Sequence, residues 1–381
     1  MQKTTPFSGY RLGVLGGGQL GRMLVRSAID IDLSVHVLDP NPEAPCSHVA
    51  SVFQVGDLLD YDTVYQFGKA CDLITIEIER VNTDALETLE REGKKVYPQP
   101  NVIRLIQDKR SQKQFYKNHN IPTPEFRITK DLAEVKTQAD FLPFVHKIGK
   151  GGYDGRGVQV MRTLGDLAKG FDIEGLVEKM VDIKKEIAVI VARNARGDIE
   201  VYPPVELVFH PEANLVEYLL SPAQISEQHT EQAKNIARRI IEKLDMIGLL
   251  AVEMFLDRSG QVLVNEIAPR THNSGHHTIE SNMTSQFEQH LRSILNWPLG
   301  DTSVIIPAAM INLLGEEGYT GRPIYVGYEE ALKIKGAHLH LYGKDKTKPM
   351  RKMGHLTITD ADRASLIQKV KLIQKIVKVI A

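Results

Sequence analysis

Two glutamates and an asparagine interrupt neighbouring apolar segments late in the chain. Glu253 lies in the first segment, and the pair Asn265 and Glu266 lies in the second, with turn-forming residues between them at 257–260. This pattern predicts a β-hairpin. A carboxylate in a buried strand is unfavourable unless it is paired or binds a metal ion. Because Mg²⁺ prefers oxygen ligands, the hairpin predicts a Mg²⁺-polyphosphate site. The sequence does not fix how the two strands pair, so salt-bridged or surface glutamates remain the alternative.

A second candidate is the segment 149–157, which has five glycines in nine residues. Predicted strands at 144–147 and 158–161 flank it, so it lacks the following helix of a Walker A loop. A glycine-rich connection between two strands is suited to closing over nucleotide phosphates, and closure excludes water from a reactive intermediate. Lys147 at its base would place a positive charge on a phosphate. The alternative is a solvated hairpin tip.

The segment 16–21 fits the pattern G-x-G-x-x-G between a predicted strand and a predicted helix. Asp39 stands at the end of the next strand, as in a dinucleotide-binding fingerprint. The glycines allow close approach, and the helix N-terminus offers N–H groups to a phosphate. This pattern alone leaves three readings open: NAD, a sugar phosphate, or a tight turn without a ligand.

Two further polar segments lie in the C-terminal half. His272 and His276 have the spacing of helical zinc ligands, but Ser274 and Gly275 between them disfavour a helix, and no cysteine accompanies them. We therefore expect a polar loop that orients an anionic substrate. The charged segment 344–352 is either a solvated run or a second clamp for a phosphate or carboxylate.

The pattern of elements predicts mixed α/β and α+β architecture. Strands and helices alternate up to about residue 100, which favours a doubly wound parallel sheet. A small α+β unit with the glycine segment follows, and then a larger part containing the hairpin. Long amphipathic helices are predicted at 227–244 and 360–380. We predict domains at 1–104, 105–185 and 186–381.

Composition limits the class of protein. The chain has 381 residues, a formal net charge of -1, 42% hydrophobic residues and two cysteines. Near-neutral charge argues against a nucleic-acid or membrane-surface partner, and two cysteines are too few for a disulfide framework. No segment resembles a signal peptide or reaches the roughly 20 apolar residues that span a bilayer. We expect a cytoplasmic protein.

Taken together, the motifs resemble the ATP-grasp superfamily and, within it, the 5-(carboxyamino)imidazole ribonucleotide synthase family. The matching segments, which cover essentially the whole chain, are GGGQLGRM at 16–23, TIEIE at 75–79, GGYDGRG at 151–157, NEIAPR at 265–270, HNSGH at 272–276 and RKMGH at 351–355. The resemblance implies an ATP-grasp fold preceded by the parallel-sheet domain, and a homodimer. It also implies ATP- and bicarbonate-dependent carboxylation of 5-aminoimidazole ribonucleotide through carboxyphosphate, with two Mg²⁺ ions.

The resemblance also assigns roles to residues of this chain. The residues expected to bind ATP are Lys109, Lys147, Gly152, Tyr153, Asp154, Gly155, Arg156, Gly157, Glu178, Lys179, Met180, Val181, Glu186, Asn265 and Glu266. Those expected to bind the ribonucleotide are Gln19, Leu20, Glu77, Tyr153, Asp154, Arg156, Lys344 and Arg351. Glu253 and Glu266 are the expected metal ligands, and the expected catalytic residues are Arg270, His272, Asn273 and Asp154. With this family in view, the first glycine motif is better interpreted as a monophosphate site.

The chain departs from the family pattern at several positions. Lys109 replaces an arginine, Val158 a glutamine, Lys348 an arginine and Met350 a glycine, and the family histidine near 202–211 aligns ambiguously with Phe209 or His210. None of these changes removes a carboxylate or a residue of the glycine segment. Three other functions stay open: an ATP-grasp ligase with another acyl donor, such as the formate-dependent glycinamide ribonucleotide enzyme, an NAD-dependent oxidoreductase, and an inactive nucleotide-binding regulator.

Overall fold

The structure is a computed structural model that describes residue 7 and residues 9–152, 157–209 and 216–381. Its N-terminal part alternates strands and helices: β1 Arg11–Leu15, α1 Gln19–Ile29, β2 Ser34–Asp39, β3 Val52–Val55, α2 Tyr61–Lys69, β4 Leu73–Ile76, α3 Thr83–Arg91 and β5 Lys95–Val96. These strands pair in parallel in the order β3-β2-β1-β4-β5. The chain moves outward from β1 in both directions, which is the predicted doubly wound arrangement.

The middle part contains a small antiparallel sheet. Its elements are α4 Pro100–Ile106, α5 Lys109–Asn118, β6 Phe126–Thr129, α6 Leu132–Lys136, β7 Phe144–Ile148, β8 Val158–Met161 and β9 Gly175–Lys179, with 3₁₀ turns at Ala139–Phe141 and Leu164–Lys169. The strand order is β6-β9-β7-β8. The last residue pair of β7 with β8 is Lys147 with Val158, so the glycine segment joins two adjacent strands, as predicted.

The C-terminal part is built on a large antiparallel sheet. Its elements are β10 Ile183–Arg193, β11 Ile199–Val201, β12 Val205–Phe209, β13 Val216–Ser221, α7 Glu227–Lys243, β14 Gly248–Asp257, β15 Val262–Ala268, α8 Thr278–Ser281, α9 Gln286–Ile294, β16 Ala308–Leu314, β17 Ile324–Val326, α10 Tyr328–Leu332, β18 Ala337–Leu341, β19 Lys352–Thr359, α11 Arg363–Ile376 and β20 Lys378–Ile380, with a 3₁₀ turn at Asn273–Gly275. The main path is β15-β14-β10-β12-β13-β16-β19-β18, and β11 pairs with β10.

Separate apolar cores cover the two faces of the N-terminal sheet. On one face, α1 packs against β1 and β2, together with Phe287 and Leu291 of α9. On the other face, α2 and α3 contribute Phe67 and Leu86. A helix of the C-terminal part therefore completes the core of the N-terminal sheet. The predicted apolar face of α7 is also confirmed, since its buried residues pack on β10 and β14.

The structure corrects several predicted elements. The expected continuous helix at 101–118 is two helices, because Asp108 has extended backbone and caps α5 by accepting a hydrogen bond from the N–H of Arg110. The expected final helix at 360–380 ends at Ile376, and β20 then pairs with β17. The strand predicted at 177–181 is β9, which ends at Lys179. Helix α2 had no sequence prediction.

None of the helices in the described ranges is long and apolar enough to cross a membrane.

Candidate active site

The hairpin of β14 and β15 places the two predicted metal ligands opposite each other. Glu253 pairs with Glu266 in the antiparallel register, and the register shifts immediately afterwards, between Glu253 and Met254. Directly opposed residues of two antiparallel strands point to the same face of the sheet. The structure therefore decides the register that the sequence left open, and it puts both carboxylates on one face beside Asn265.

Two predicted ATP-binding lysines converge on this hairpin from different elements. Lys109, the first residue of α5, forms an ion pair with Glu266. Lys147 on β7 donates a hydrogen bond of 2.9 Å to Oδ1 of Asn265 and one of 3.1 Å to Oε1 of Glu178 on β9. The small sheet, helix α5 and the large sheet thus meet at one cluster of positive and negative charges.

The two opposed carboxylates have different proton affinities. Burial raises the pKa of Glu253, with further contributions from Glu266 and Glu186. The ammonium of Lys109 lowers the pKa of Glu266 despite burial. One carboxylate is thus readily ionised while its neighbour tends to hold a proton. A divalent cation between them would favour ionisation of both, and the donor set of two carboxylates and an amide oxygen suits Mg²⁺.

The loop after β15 carries three predicted catalytic residues, of which His272 lies against the hairpin. Nη2 of Arg270 lies 2.9 Å from Oε1 of Glu79, and Nε2 of His272 lies 3.6 Å from Oε1 of Glu253. Burial, with Arg270 and Lys352 nearby, lowers the pKa of His272 to about 3, so its imidazole is neutral. Among the described residues, the buried Oδ1 of Asn273 has no hydrogen-bond partner, so it is able to accept a hydrogen bond from a ligand.

A second cluster at the start of α1 contains four of the predicted ribonucleotide-binding residues, Gln19, Leu20, Glu77 and Lys344. The N–H of Leu20 donates a hydrogen bond of 3.2 Å to Oε1 of Glu77, which directly follows β4. The ammonium of Lys344 donates a hydrogen bond of 2.7 Å to Oε1 of Gln19, although 325 positions separate the two residues in the chain. Burial raises the pKa of Glu77 to about 7, and Arg270 is among the groups that oppose this rise.

The glycine turn before α1 is fitted closely around two carboxylates. The N–H of Gly17 donates a hydrogen bond of 2.7 Å to Oδ2 of Asp39, whose Oδ1 accepts from the N–H of Asn41 at 2.8 Å. A Cβ added at Gly18 would lie 2.4 Å from Oε1 of Glu77, so a larger residue would displace that carboxylate. Asp39 thus holds the turn through the N–H of Gly17 and is itself held by the N–H of Asn41. A dinucleotide site uses an acidic residue here to bind ribose hydroxyls, so this geometry favours a phosphate site.

Four other predicted ATP-binding residues lie on or between β9 and β10. Met180 and Val181 lie in the connection between β9 and β10, and the ammonium of Lys179 donates to the carbonyls of Phe141 and Leu142 at 3.1 and 3.2 Å. Burial raises the pKa of Glu186 on β10 to about 7.

Within the glycine segment, Gly157 has a φ of 75°, and its carbonyl accepts a hydrogen bond of 2.9 Å from the N–H of Ile148. Gly152 is described but forms no part of a helix or strand. Arg351 donates to the carbonyl of Lys346 at 2.6 Å, within the charged segment. The predicted residues Tyr153, Asp154, Gly155, Arg156 and His210 lie outside the described residues.

Comparison with known proteins agrees with this geometry. Residues 10–107 match the ribonucleotide synthetase pre-ATP-grasp domain, residues 114–287 match the ATP-grasp domain, and residues 308–369 match the phosphoribosylaminoimidazole carboxylase C-terminal domain. The N5-carboxyaminoimidazole ribonucleotide synthase of Bacillus subtilis is 34% identical, over 97% of this chain and 97% of its own length. The chain belongs to the N5-carboxyaminoimidazole ribonucleotide synthase family.

Solved structures of this synthase family share the whole fold. The synthetase from Thermotoga maritima is 43% identical, with a TM-score of 0.91 over 98% of this chain and 99% of that chain. The Aspergillus clavatus synthase in complex with ADP and 5-aminoimidazole ribonucleotide is 33% identical, with a TM-score of 0.87 over 96% and 98%. The chloroplastic phosphoribosylaminoimidazole carboxylase of Vigna aconitifolia is 41% identical over 93% of this chain, which spans 65% of that longer protein.

Family membership gives the departures a structural context. Met350, where the resemblance expects glycine, has a φ of 62° and so occupies the left-handed region that disfavours a side chain. Its N–H nevertheless donates to the carbonyl of Gly315 at 2.9 Å. Val158 is the first residue of β8, and the carbonyl of Lys348 accepts from the N–H of Arg351 at 3.1 Å. Lys109 retains the positive charge of the expected arginine and pairs with Glu266.

Sequence reasoning missed two buried residues that contact the synthase site. Lys113 on α5 binds Glu178, and its only sequence signal is a spacing of one helical turn from Lys109. Gln286 on α9 holds the main chain of His272 from both sides: its Oε1 accepts from the N–H of His272 at 2.8 Å, and its Nε2 donates to the carbonyl at 2.7 Å. Nothing near Gln286 in the sequence indicates this role.

Gln286→Leu should impair catalysis through the position of the His272 loop. The substitution leaves an N–H and a carbonyl of His272 without their buried partner. We expect turnover of the folded protein to fall roughly 10- to 100-fold, since small displacements of reacting groups have effects of that size. Steady-state kinetics at matched concentrations of folded protein would measure this.

Gln289→Leu is the matched control for that variant. Gln289 lies on the same helix and makes the same pair of hydrogen bonds, at 2.8 Å each, to the N–H and carbonyl of Gly300, at a loop other than that of His272. It should lose similar stability but keep its turnover. Equal losses of turnover in the two variants would refute the positioning role of Gln286.

Glu77→Gln should change how stability depends on pH. The pKa of Glu77 rises from 4.5 to about 7 on folding, so its contribution to stability is complete below about pH 4.5 and is lost as the pH rises through about 7. The variant should therefore gain unfolding free energy relative to the wild type between about pH 5 and pH 8. Denaturant titrations at several pH values would measure the difference, and a constant difference would contradict the raised pKa.

Proposed function

We propose that this chain uses ATP and bicarbonate to carboxylate 5-aminoimidazole ribonucleotide, which forms N5-carboxyaminoimidazole ribonucleotide in de novo purine biosynthesis. One observation carries the proposal: strand β15 and the loop after it connect the Glu253–Glu266 carboxylate pair with the cluster around Glu77. Glu266 lies at the first site, and Arg270 pairs with Glu79 beside Glu77 at the second. The ADP and 5-aminoimidazole ribonucleotide complex of the Aspergillus clavatus relative supports this reading.

On the ATP side, each group has a role that follows from its charge and position. Lys109 and Lys147 place positive charge on the phosphates, and the glycine segment covers them. The end of β9 and the residues after it, 178–181, line the adenine, and Glu186 holds the ribose. With water excluded, carboxyphosphate is protected from hydrolysis.

The metal-binding part of the proposal concerns Glu253 and Glu266. Their carboxylates face each other, and burial together with repulsion from Glu266 and Glu186 raises the pKa of Glu253. These residues fit Mg²⁺, with Asn265 next to them, and the family resemblance leads us to propose two ions. Bound Mg²⁺ would neutralise charge on the transferred phosphoryl group and its leaving oxygen.

The reaction needs two displacements. A bicarbonate oxygen attacks the γ-phosphorus, the bond to the β-phosphate oxygen breaks, and ADP leaves carboxyphosphate behind. The substrate amine then forms a bond to the carboxyl carbon, phosphate departs with the C–O bonding electrons, and the amine loses a proton. This second step proceeds directly or through CO₂ released from carboxyphosphate. Arg270, neutral His272 and the amide of Asn273 border the carboxyphosphate in this proposal.

The ribonucleotide site uses the second cluster. The N–H groups of Gln19 and Leu20 at the start of α1 bind the substrate phosphate, which the helix N-terminus favours. The N–H of Leu20 would exchange Glu77 for the phosphate when the substrate binds. Glu77, Lys344 and Arg351 contact the ribonucleotide, together with Tyr153, Asp154 and Arg156 of the glycine segment.

Domain limits at 104/105 and 185/186, the homodimer and the cytoplasmic location stay predictions.

Release of ADP by the purified protein tests the function directly. With Mg²⁺, ATP and bicarbonate, we expect 5-aminoimidazole ribonucleotide to stimulate ADP formation strongly, and labelled bicarbonate to enter an acid-labile product. ATP binding without this stimulation would refute the proposed substrate and direct attention to formate and other acyl donors.

Glu266→Gln should abolish ADP formation while the fold survives, because one of two opposed carboxylates is lost. A loss of two orders of magnitude or more is expected for a group that stabilises transferred charge. Turnover and circular dichroism would be measured alongside Glu242→Gln, an exposed carboxylate on α7. Turnover of Glu266→Gln close to that of this control would refute the metal assignment.

A further inference from the structure

A buried lysine that the proposed reaction does not use lies directly behind the ATP site. Lys113 follows Lys109 by one turn of α5, and its side chain is only 3% exposed. Its ammonium lies 2.5 Å from Oε2 of Glu178, 2.5 Å from the hydroxyl of Thr123 and 3.4 Å from the carbonyl of Val264. The first of these contacts is an ion pair, and the other two are hydrogen bonds donated by the ammonium.

Glu178 is shared between two lysines. Its side chain is 3% exposed, its Oε2 faces Lys113, and its Oε1 accepts from Lys147 at 3.1 Å. Lys147 also donates to Asn265. A cavity of about 10 Å³ lies between these groups, and it is lined by Lys109, Gln112, Lys113, Lys147, Leu176, Asn265 and Glu266. The side chains of Lys113 and Glu178 are both 3% exposed, so little solvent screens the charges of this pair.

The charges of this group set the potential at the phosphates. Lys113, Lys147 and Glu178 form a triad whose two ammonium groups and one carboxylate give a net charge of +1. Without Lys113, Glu178 would have Lys147 as its sole ammonium partner within this triad, and the net charge would be zero. A buried carboxylate with one counter-ion holds that counter-ion strongly.

We propose that Lys113 is a positioning residue that neutralises Glu178 and so leaves Lys147 available to the phosphates of ATP. This role deepens the proposed function and rests on it. If Lys113 only filled space, an uncharged side chain of similar volume would serve equally well. The shared carboxylate instead links the charge of Lys113 to that of Lys147. Burial, opposed by Glu178, lowers the pKa of Lys113 to about 8, so the ammonium form predominates at neutral pH.

Lys113→Met tests the proposal because it keeps the volume and removes the charge. We expect the KM for ATP and the Kd for Mg-ADP, measured by calorimetry, to rise roughly tenfold, the size of a typical coupling between neighbouring charges. The KM for 5-aminoimidazole ribonucleotide should change by less than about twofold, since that site lies at α1. Lys117→Met removes an exposed charge from the same helix and should leave both constants unchanged.

The double variant Lys113→Met/Glu178→Gln separates charge from packing. It restores a triad charge of +1, carried by Lys147, and the amide keeps the shape of Glu178, which we place beside the adenine, so the affinity for Mg-ADP should recover most of the loss. No change in ATP affinity in the single variant, an equal loss for both substrates, or no recovery in the double variant would overturn the proposal. The calorimetric measurement needs no turnover, so a failure of the proposed carboxylation would be recognised separately.

Discussion

Three ammonium groups and two carboxylates meet beside β15, and their mutual neutralisation constrains how the parts of the chain pack. Glu178 is 3% exposed, and a buried carboxylate without a partner is strongly destabilising, so Glu178 needs its lysines. Glu266 is partly exposed and pairs with Lys109. The lysines come from α5 and β7, whereas the carboxylates come from β9 and β15. The small sheet, the helix before it and the large sheet must therefore close on one another for any of these charges to be satisfied.

Helix α9 transmits this arrangement to the second substrate region. Phe287 and Leu291 fill the core of the N-terminal sheet, whereas Gln286 at the start of the helix holds both main-chain polar groups of His272. One short helix thus fixes the loop after β15 relative to β4, where Glu77 follows. The distance between the Glu253–Glu266 hairpin and the cluster around Glu77 is therefore set by packing of apolar side chains, which resists displacement.

The sequence predicts much of this architecture, because its strongest signals are local. Alternating strands and helices indicated the parallel sheet, and the apolar stripe indicated α7. The interrupted helix at Asp108 was missed, since a capping aspartate inside an otherwise helical pattern is a weak signal until tertiary contacts select it. The opposition of Glu253 and Glu266 was also beyond the sequence, because a one-residue slip would reverse every side chain. Gln286 gave no signal because its partner is main chain.

The replacement of arginine by Lys109 fits the same electrostatic constraint. A guanidinium binds a carboxylate through both oxygens in a planar, bidentate pair, whereas an ammonium is a point charge on a flexible stem. The ion pair of Lys109 is made with Oε2 of Glu266, and Glu266 lies opposite Glu253 in the register of the hairpin. A lysine here therefore stabilises the ionised glutamate while keeping one of its oxygens suited to a shared cation, and the departure from the family pattern is compatible with the metal chemistry proposed for the hairpin.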